Sequence, residues 1–248
     1  MGQIILCETK ETKNPYEFSS FQRKISTYEE LCYYIREHFL IFVEEGISEE
    51  LFQWMVQELE ISELEQEWSK ITSPKERLRK VISCRNYFLP QEISVLMKKY
   101  DRYKRMSDGE RKIRLGDEYL KQKRYAKALK YYHSAKLEEM DGRTCYNMAV
   151  CYVCQWDFER AAALFLKSYQ LSKKKKALDA YYTVLMFQGE CAAVKIMAGN
   201  EYSAYIQKWK IWKEEWKRHQ QETQAVENNH YKKQRLKQWK TNYRREME

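Results

Sequence analysis

One part of the chain repeats another after 33 residues, and this periodicity constrains the fold more than any other feature. At that offset Gly116 aligns with Ala149, both of them small. The other aligned pairs are Tyr119 with Tyr152, Tyr125 with Phe158, Ala128 with Ala161, Tyr132 with Phe165, and Ala135 with Ser168. Small residues let two antiparallel helices approach closely, while aromatic residues fill the space between one hairpin and the next. The pattern therefore predicts stacked helix-turn-helix units.

In order and spacing, these residues resemble the signature of the tetratricopeptide repeat family. The resemblance covers residues 109–172. A third, degenerate unit follows, with Ala180, Tyr181, Val184 and Phe187 in its first helix and Gly189 at its turn. About three repeats are normally needed to bury a continuous core, so we expect flanking helices to cap the array. The resemblance implies a short right-handed superhelix and a protein-binding, non-enzymatic role.

In this family the first helices of successive hairpins line a concave groove. The matching positions here are Ile113, Asp117, Leu120 and Lys121, followed by Tyr146, Val150, Val153 and Cys154. A largely apolar groove suits an amphipathic helix or an extended apolar peptide of a partner protein. Ile113 and Asp117 stand where chaperone-docking members carry basic and Asn side chains, which argues against a clamp for a terminal carboxylate. Alternatively, one of the protein's own helices fills the groove.

Residues that interrupt helices are rare, because the 248 residues include only 7 Gly and 3 Pro. This scarcity, together with 33% charged residues, predicts an all-α protein. We expect an acidic helical module at 1–70, connecting or capping helices at 71–108, the hairpins at 109–200, and a long basic helix at 201–248. A β-prone run, Gln3–Cys7, is predicted to pair with Tyr16–Ile25 as a small hairpin.

Capping residues mark several helix starts in the first hundred residues. Ser26 with Glu29 and Thr27 with Glu30 are two overlapping start signals, and Gly46 is an end signal, so one helix is expected to run from there to about Glu45. Further starts are predicted at Ser48, at Ser62, and at Ser73 with Pro74 in the first turn.

From Glu201 onward, aromatic residues recur at steps of three and four, the spacing of a single helical stripe. The stripe consists of Tyr202, Tyr205, Trp209, Trp212 and Trp216. Fully burying each side chain is worth about 1.5 to 3 kcal/mol, so we expect something to cover this face. The repeat groove, a second copy of the chain and a foreign partner are the alternatives.

Positive charge is concentrated away from the N-terminus. Residues 1–70 hold 6 Lys or Arg against 15 Asp or Glu, whereas residues 71–248 hold 39 against 21. In the tail, aromatic residues are interleaved with cations, and the segment contains Lys232, Lys233, Arg235, Lys237, Trp239, Lys240, Tyr243, Arg244 and Arg245. Such a pattern is typical of RNA or DNA binding, where cations release counterions and rings stack on bases. A nucleic-acid-associated protein is therefore the alternative to a protein-binding adaptor.

No residue pattern in the sequence is typical of catalysis, of a cofactor site or of a metal site. Cys151 and Cys154 form one C-x-x-C, but they lie inside a predicted helix without further ligands at a suitable spacing. We therefore expect a non-enzymatic protein with no metal or cofactor. The 7 Cys, the lack of a signal peptide and the lack of an apolar run of roughly 20 residues predict a cytoplasmic protein without a membrane span.

Overall fold

The computed structural model describes residues 11–135, 140–226, 237 and 239–242. These residues are mostly helical, with one small sheet, which confirms the predicted all-α fold. The chain divides into two compact units, one ending at Ser107 and one beginning at Asp108. None of the described helices is both long enough and apolar enough to cross a membrane.

The described residues of the first unit form a two-stranded sheet and six helices. The elements are β1, Tyr16–Phe18; β2, Arg23–Ile25; α1, Tyr28–Glu37; α2, Phe39–Glu45; α3, Glu49–Gln57; α4, Ser62–Trp68; α5, Pro74–Ser83; and α6, Pro90–Arg105. The strands are antiparallel, with Tyr16 opposite Ile25. Both strands lie within Tyr16–Ile25, and the predicted partner strand Gln3–Cys7 lies outside the described residues.

The core of the first unit forms where the strands and helices bury their apolar faces. The Phe18 ring of β1 stacks on Tyr34 of α1 at 4.0 Å. Tyr28 of α1 donates a 2.7 Å hydrogen bond to the carbonyl of Val81 in α5. Because Tyr28 is buried, this bond satisfies a hydroxyl that would otherwise destabilise the fold.

The predicted continuous helix from residue 28 to Glu45 is wrong in one respect, since it breaks at His38. This residue leaves the helical region with φ −119° and ψ 32°. Its buried ring lies 4.3 Å from the ring of Phe21 and 4.9 Å from that of Tyr34. Tertiary packing of the imidazole therefore overrides the local helix signal, while the start at Thr27 and the end at Gly46 are confirmed.

The other predicted starts differ in how they are capped. Ser48 accepts a 3.1 Å hydrogen bond from the Leu51 amide, as predicted. Helices also begin at Ser62 and after Ser73, but neither has a side-chain cap. At Ser73 the first helical residue is Pro74, whose missing amide leaves one donor fewer to satisfy.

The described residues of the second unit form seven helices. They are α7, Asp108–Lys121; α8, Tyr125–Ser134; α9, Gly142–Cys154; α10, Phe158–Ser172; α11, Lys175–Phe187; α12, Cys191–Ala198; and α13, Tyr202–Val226, preceded by a 3₁₀ turn at Gly199–Glu201. The second helices of the hairpins, α8, α10 and α12, begin at Tyr125, Phe158 and Cys191, so the 33-residue period continues through a third hairpin.

The turn inside each hairpin has the same backbone geometry. Lys123, Trp156 and Gly189 recur every 33 residues, with φ angles of 58°, 64° and 90°. In each turn the amide of that residue donates a hydrogen bond to the carbonyl three residues earlier. The amide of the next residue donates to the carbonyl five residues before it. These are the two hydrogen bonds of a Schellman motif. The third hairpin is therefore equivalent to the first two, although its sequence is degenerate.

Helix α13 stacks on the last hairpin. The Tyr205 ring lies 5.4 Å from Tyr182, and the Trp209 ring lies 4.6 Å from Phe187, so α13 runs in the same direction as α11. It contacts both α11 and α12, as α9 contacts both α7 and α8. The first part of the predicted aromatic stripe thus covers the end of the hairpin array. The side chains of Trp212 and Trp216, the other tryptophans of the stripe, are not among those that the structure describes.

Candidate protein-interaction site

The second hairpin places three of the predicted groove residues on one face of α9. Tyr146, Val150 and Val153 are spaced by four and three residues, and each is half-buried. Cys154, at the end of the same helix, is exposed. We call Tyr146, Val150 and Val153 the apolar stripe. Because its side chains keep part of their surface in water, a partner could still gain free energy by covering them.

The first hairpin places its predicted groove residues in different environments. Ile113 is buried in the hairpin core, with 7% of its surface exposed, and Leu120 is half-buried. Lys121 is exposed and forms a 2.9 Å ion pair with Glu118 on its own helix. Of the two apolar residues, only Leu120 resembles the apolar stripe in exposure.

Asp117, also predicted to line the groove, joins three helices. Its carboxylate accepts hydrogen bonds from the Tyr132 hydroxyl at 2.8 Å and from the Asn147 amide at 2.9 Å, and it pairs with Arg143 at 3.0 Å. Burial, followed by the nearby Asp117 carboxylate, raises the pKa of Tyr132 and keeps its hydroxyl a donor. All three donors belong to the array, so this carboxylate connects α7, α8 and α9.

Two cations border the apolar stripe at equivalent positions of successive hairpins. Arg143, in the first turn of α9, reaches Asp117 on α7, and Lys176, in the first turn of α11, lies 5.0 Å above the Tyr146 ring on α9. The two residues are 33 positions apart. Each cation therefore reaches back to the first helix of the preceding hairpin, where Arg143 is paired with a carboxylate and Lys176 lies over an aromatic ring.

A second surface consists of four aromatic residues, Trp156, Phe158, Phe187 and Trp209, which we call the aromatic edge. Trp156 is 63% exposed and Phe187 is 45% exposed. Trp156, Phe158 and Phe187 are absent from the predicted site residues. Trp156 could have been singled out from the sequence because it lies 33 residues before Gly189, at the equivalent position of the repeat. A glycine is favoured at that position because the backbone is left-handed there.

The basic tail is only partly described. Lys232, Lys233 and Arg235 lie outside the described residues. Trp239 is helical and 58% exposed, and Lys237 and Lys240 beside it are exposed as well. These three side chains are accessible to a ligand.

The thiols of α9 differ in exposure. Cys151 is buried, and burial raises its pKa to about 12, while burial also raises the pKa of Cys145. A thiol that stays protonated is a poor nucleophile and a poor metal ligand. Within the described part of the chain, no group of three or more His, Cys, Asp or Glu side chains could hold a metal ion.

No protein-family model, no curated protein and no solved structure matches the chain. The resemblance of residues 109–172 to tetratricopeptide repeats therefore stays a prediction from the sequence. Function has to be argued from the apolar stripe, the aromatic edge and the charges around them.

Proposed function

We propose that this protein is a non-enzymatic adaptor whose hairpins form a tetratricopeptide-like array that holds a partner protein. The observation that carries the proposal is the apolar stripe on α9. Its three side chains are half-buried in hairpins whose Gly116, Ala149 and Ser168 are fully packed. The fold therefore keeps apolar surface accessible beside a well-packed core.

The chemistry of the stripe favours an amphipathic helix or an extended apolar segment as the ligand. Contact with Tyr146, Val150 and Val153 would release water from apolar surface. Lys176 lies above the Tyr146 ring, so an acidic residue at this edge of the ligand would meet complementary charge. Asp117 would not repel such a ligand strongly, because Arg143 already pairs with it.

The position of α13 supports an accessible stripe. Tyr202, Tyr205 and Trp209 pack against the hydrophobic cluster of α11 and α12, while the stripe belongs to α9. The start of α13 is thus assigned a capping role on the last hairpin.

Charged substitutions in the stripe test the proposal. We expect Val150→Glu and Tyr146→Glu to reduce capture of specific partners from the native cell at least about tenfold, since a buried unpaired carboxylate is costly at an interface. Ala163→Glu is the matched control, because Ala163 is exposed on α10. Circular dichroism checks that all variants fold. Unchanged capture by folded Val150→Glu would contradict the proposal.

A second candidate function is nucleic-acid binding through the tail, and the exposure of Lys237, Trp239 and Lys240 favours it. Binding through phosphates weakens steeply as salt rises, whereas apolar contact changes little. If the tail is the binding element, Trp239→Ala should weaken capture of RNA or DNA, and raising the salt from about 50 to about 200 mM should weaken it by orders of magnitude. Capture insensitive to both changes would exclude this candidate.

A further inference from the structure

Helices α2, α5 and α6 of the first unit border a cavity that is partly open to solvent. Its volume is about 310 Å³, at the lower end of the range of small-molecule sites. Phe42 and Val43 of α2, Leu78 of α5 and Tyr100 of α6 line it. The first three of these side chains are buried, so packing of the core holds this part of the wall in place. The cavity therefore presents a fixed apolar surface of limited size.

Two cationic side chains line the same cavity, Arg77 of α5 and Lys104 of α6. Among the described residues that line it, none is an Asp or a Glu. Apolar walls that are combined with cations, and with no carboxylate, favour a ligand that has an apolar body and a negative charge.

The carboxylates of α5 and α6 form ion pairs with cations that do not line the cavity. The pairs are Glu76 with Arg79, Glu92 with Arg36, and Asp101 with Lys75, at 2.7 to 3.9 Å. The positive charge of Arg77 and Lys104 is therefore not compensated by ion pairs from their own helices.

Contacts on one side hold the guanidinium of Arg77 in place. Its Nε donates a 2.8 Å hydrogen bond to the carbonyl of Ile71, and its guanidinium carbon lies 4.9 Å from the ring of Trp68. Trp68 is itself buried and stacks on Phe52 at 4.4 Å. Within the described residues the two Nη groups have no hydrogen-bond partner, so they are available to a ligand. Because the side chain is already ordered, binding costs less conformational entropy.

Two aromatic rings of α6 place the ammonium group of Lys104. Its Nζ lies 5.8 Å from the ring centroids of Tyr100 and Tyr103. Tyr100 also lines the cavity, so the ammonium group lies beside the apolar wall. Exposed Glu44 of α2 accepts a 2.9 Å hydrogen bond from Tyr103, whereas Lys104 forms no ion pair within the described part of the chain. An anion at this edge of the cavity would meet a cation that has no competing carboxylate partner.

We propose that this cavity binds a small organic carboxylate, whose apolar body contacts Phe42, Leu78 and Tyr100 and whose carboxylate pairs with Arg77 and Lys104. The planar fork of the guanidinium matches the two oxygens of a carboxylate. A cavity of about 150 Å³ holds a benzene molecule, so the observed volume suits one ring with a short chain, or an aliphatic chain of similar size. The site shares no residue with the apolar stripe, and it therefore goes beyond the adaptor role.

The test uses the full chain and two probes, phenylbutyrate and octanoate. Titration calorimetry measures their dissociation constants, and phenylbutanol serves as the uncharged control ligand. We expect Arg77→Gln to weaken binding of both acids at least about tenfold, because hydrogen bonds to a charged group are strong. Lys104→Gln should weaken it less, because the ammonium group is exposed. Lys98→Gln, which changes an exposed residue of α6 outside the cavity, is the matched control and should leave binding unchanged.

A third variant tests the apolar part of the cavity. Ile47 is half-buried and lines the cavity, so Ile47→Trp should fill part of the volume and weaken binding of both acids. Val150→Glu in the apolar stripe should leave it unchanged, which separates failure of this site from failure of the adaptor role. Circular dichroism checks that each variant folds.

Several results would overturn the proposal. They are absence of binding of both acids at millimolar concentration, equal binding of phenylbutanol and phenylbutyrate, and unchanged affinity in folded Lys104→Gln and Ile47→Trp. A peptide that ends in Phe supplies the same chemistry from a partner protein. If this peptide binds and neither small acid does, the site takes a chain terminus, and the proposal of a small-molecule ligand is wrong.

Discussion

Single residues set how closely the two helices of the first hairpin can approach. Gly116 of α7 faces the buried ring of Tyr132 on α8, and a Cβ atom at residue 116 would lie 2.6 Å from that ring. In the second hairpin the equivalent positions are occupied by Ala149 and Phe165, which are both buried. The distance between the two helices of a hairpin is therefore set by its own pair of residues. Side-chain size at these positions is therefore coupled between the helices.

Adding one methyl group at residue 116 tests this coupling. We expect Gly116→Ala to lower the free energy of unfolding by about 1 to 3 kcal/mol, since the Tyr132 ring is fully buried and has little room to move. Urea unfolding measures the change. The double variant with Tyr132→Leu should be less destabilised than the sum of the single changes, and strict additivity would contradict the contact.

The shared carboxylate of Asp117 is the second determinant at this scale. Asp117→Ala removes the common acceptor of Tyr132, Asn147 and Arg143, so the buried Tyr132 hydroxyl and the half-buried Asn147 amide lose their partner. We expect the free energy of unfolding to fall by about 2 to 3 kcal/mol. Tyr132→Phe removes only one of the three bonds and should cost about 1 kcal/mol. Equal effects of the two variants would show that the carboxylate does not join the helices.

Substitution of Trp156 is expected to increase the free energy of unfolding, unlike the substitutions at Gly116 and Asp117. Its left-handed backbone costs about 1 to 2 kcal/mol for a residue with a Cβ, and its ring is mostly exposed. Trp156→Gly should therefore raise the free energy of unfolding by about 1 kcal/mol. Thermal denaturation measures it beside Lys123→Gly, for which the same backbone argument applies. Destabilisation by Trp156→Gly alone would assign the ring a structural role.

At the scale of elements, the start of α13 stabilises the last hairpin. Tyr205 is buried against Tyr182, and its hydroxyl donates to Asp179 on α11. Lys175 at the start of α11 also pairs with Glu201 just before α13, at 2.9 Å, although this exposed pair contributes little. Apolar burial therefore provides most of the attachment.

Removing the Tyr205 side chain should loosen α11 and α12 selectively. We expect Tyr205→Ala to lower the free energy of unfolding by about 3 kcal/mol, because a large buried side chain is lost. Hydrogen exchange followed by mass spectrometry should show that Tyr205→Ala accelerates exchange in α11 and α12, relative to the unsubstituted protein. Exchange in α1 to α6 should not change. Ser203→Ala changes an exposed residue of the same helix and serves as control. Unaltered protection of α11 and α12 would argue against a capping role.

Elements were predicted well where local and tertiary signals agree. The 33-residue period located α7 to α10, because packing within a hairpin, as between Gly116 and Tyr132, and between hairpins restricts the size of each aligned residue. The third hairpin was harder, since Tyr182 replaces the small residue found at 116 and 149 and only its turn geometry keeps the period. The break at His38 depends on contact with Phe21, which no local pattern encodes.

At the scale of the whole molecule, the candidate surfaces were predicted less completely than the fold. Helical spacing alone places Tyr146, Val150 and Val153 on one face of α9, and their role in binding stays a prediction. The hydrogen bonds of Asp117 to Tyr132 and Asn147 were missed, since they depend on how three helices are placed relative to one another. Trp209 was predicted as part of the aromatic stripe, but its contact with Phe187, and that of Phe187 with Phe158, were missed for the same reason, because the three residues belong to different helices.

Site-specific photo-crosslinking in the native cell tests the adaptor role most directly. A photoreactive amino acid at Val150, in the apolar stripe, is compared with the same group at Ala163, which is exposed on α10. The proposed function predicts a discrete crosslinked protein from residue 150 that is absent from residue 163 and is lost when Tyr146→Glu is added. Crosslinks of equal pattern and yield from both positions, or none from residue 150 in folded protein, would contradict it.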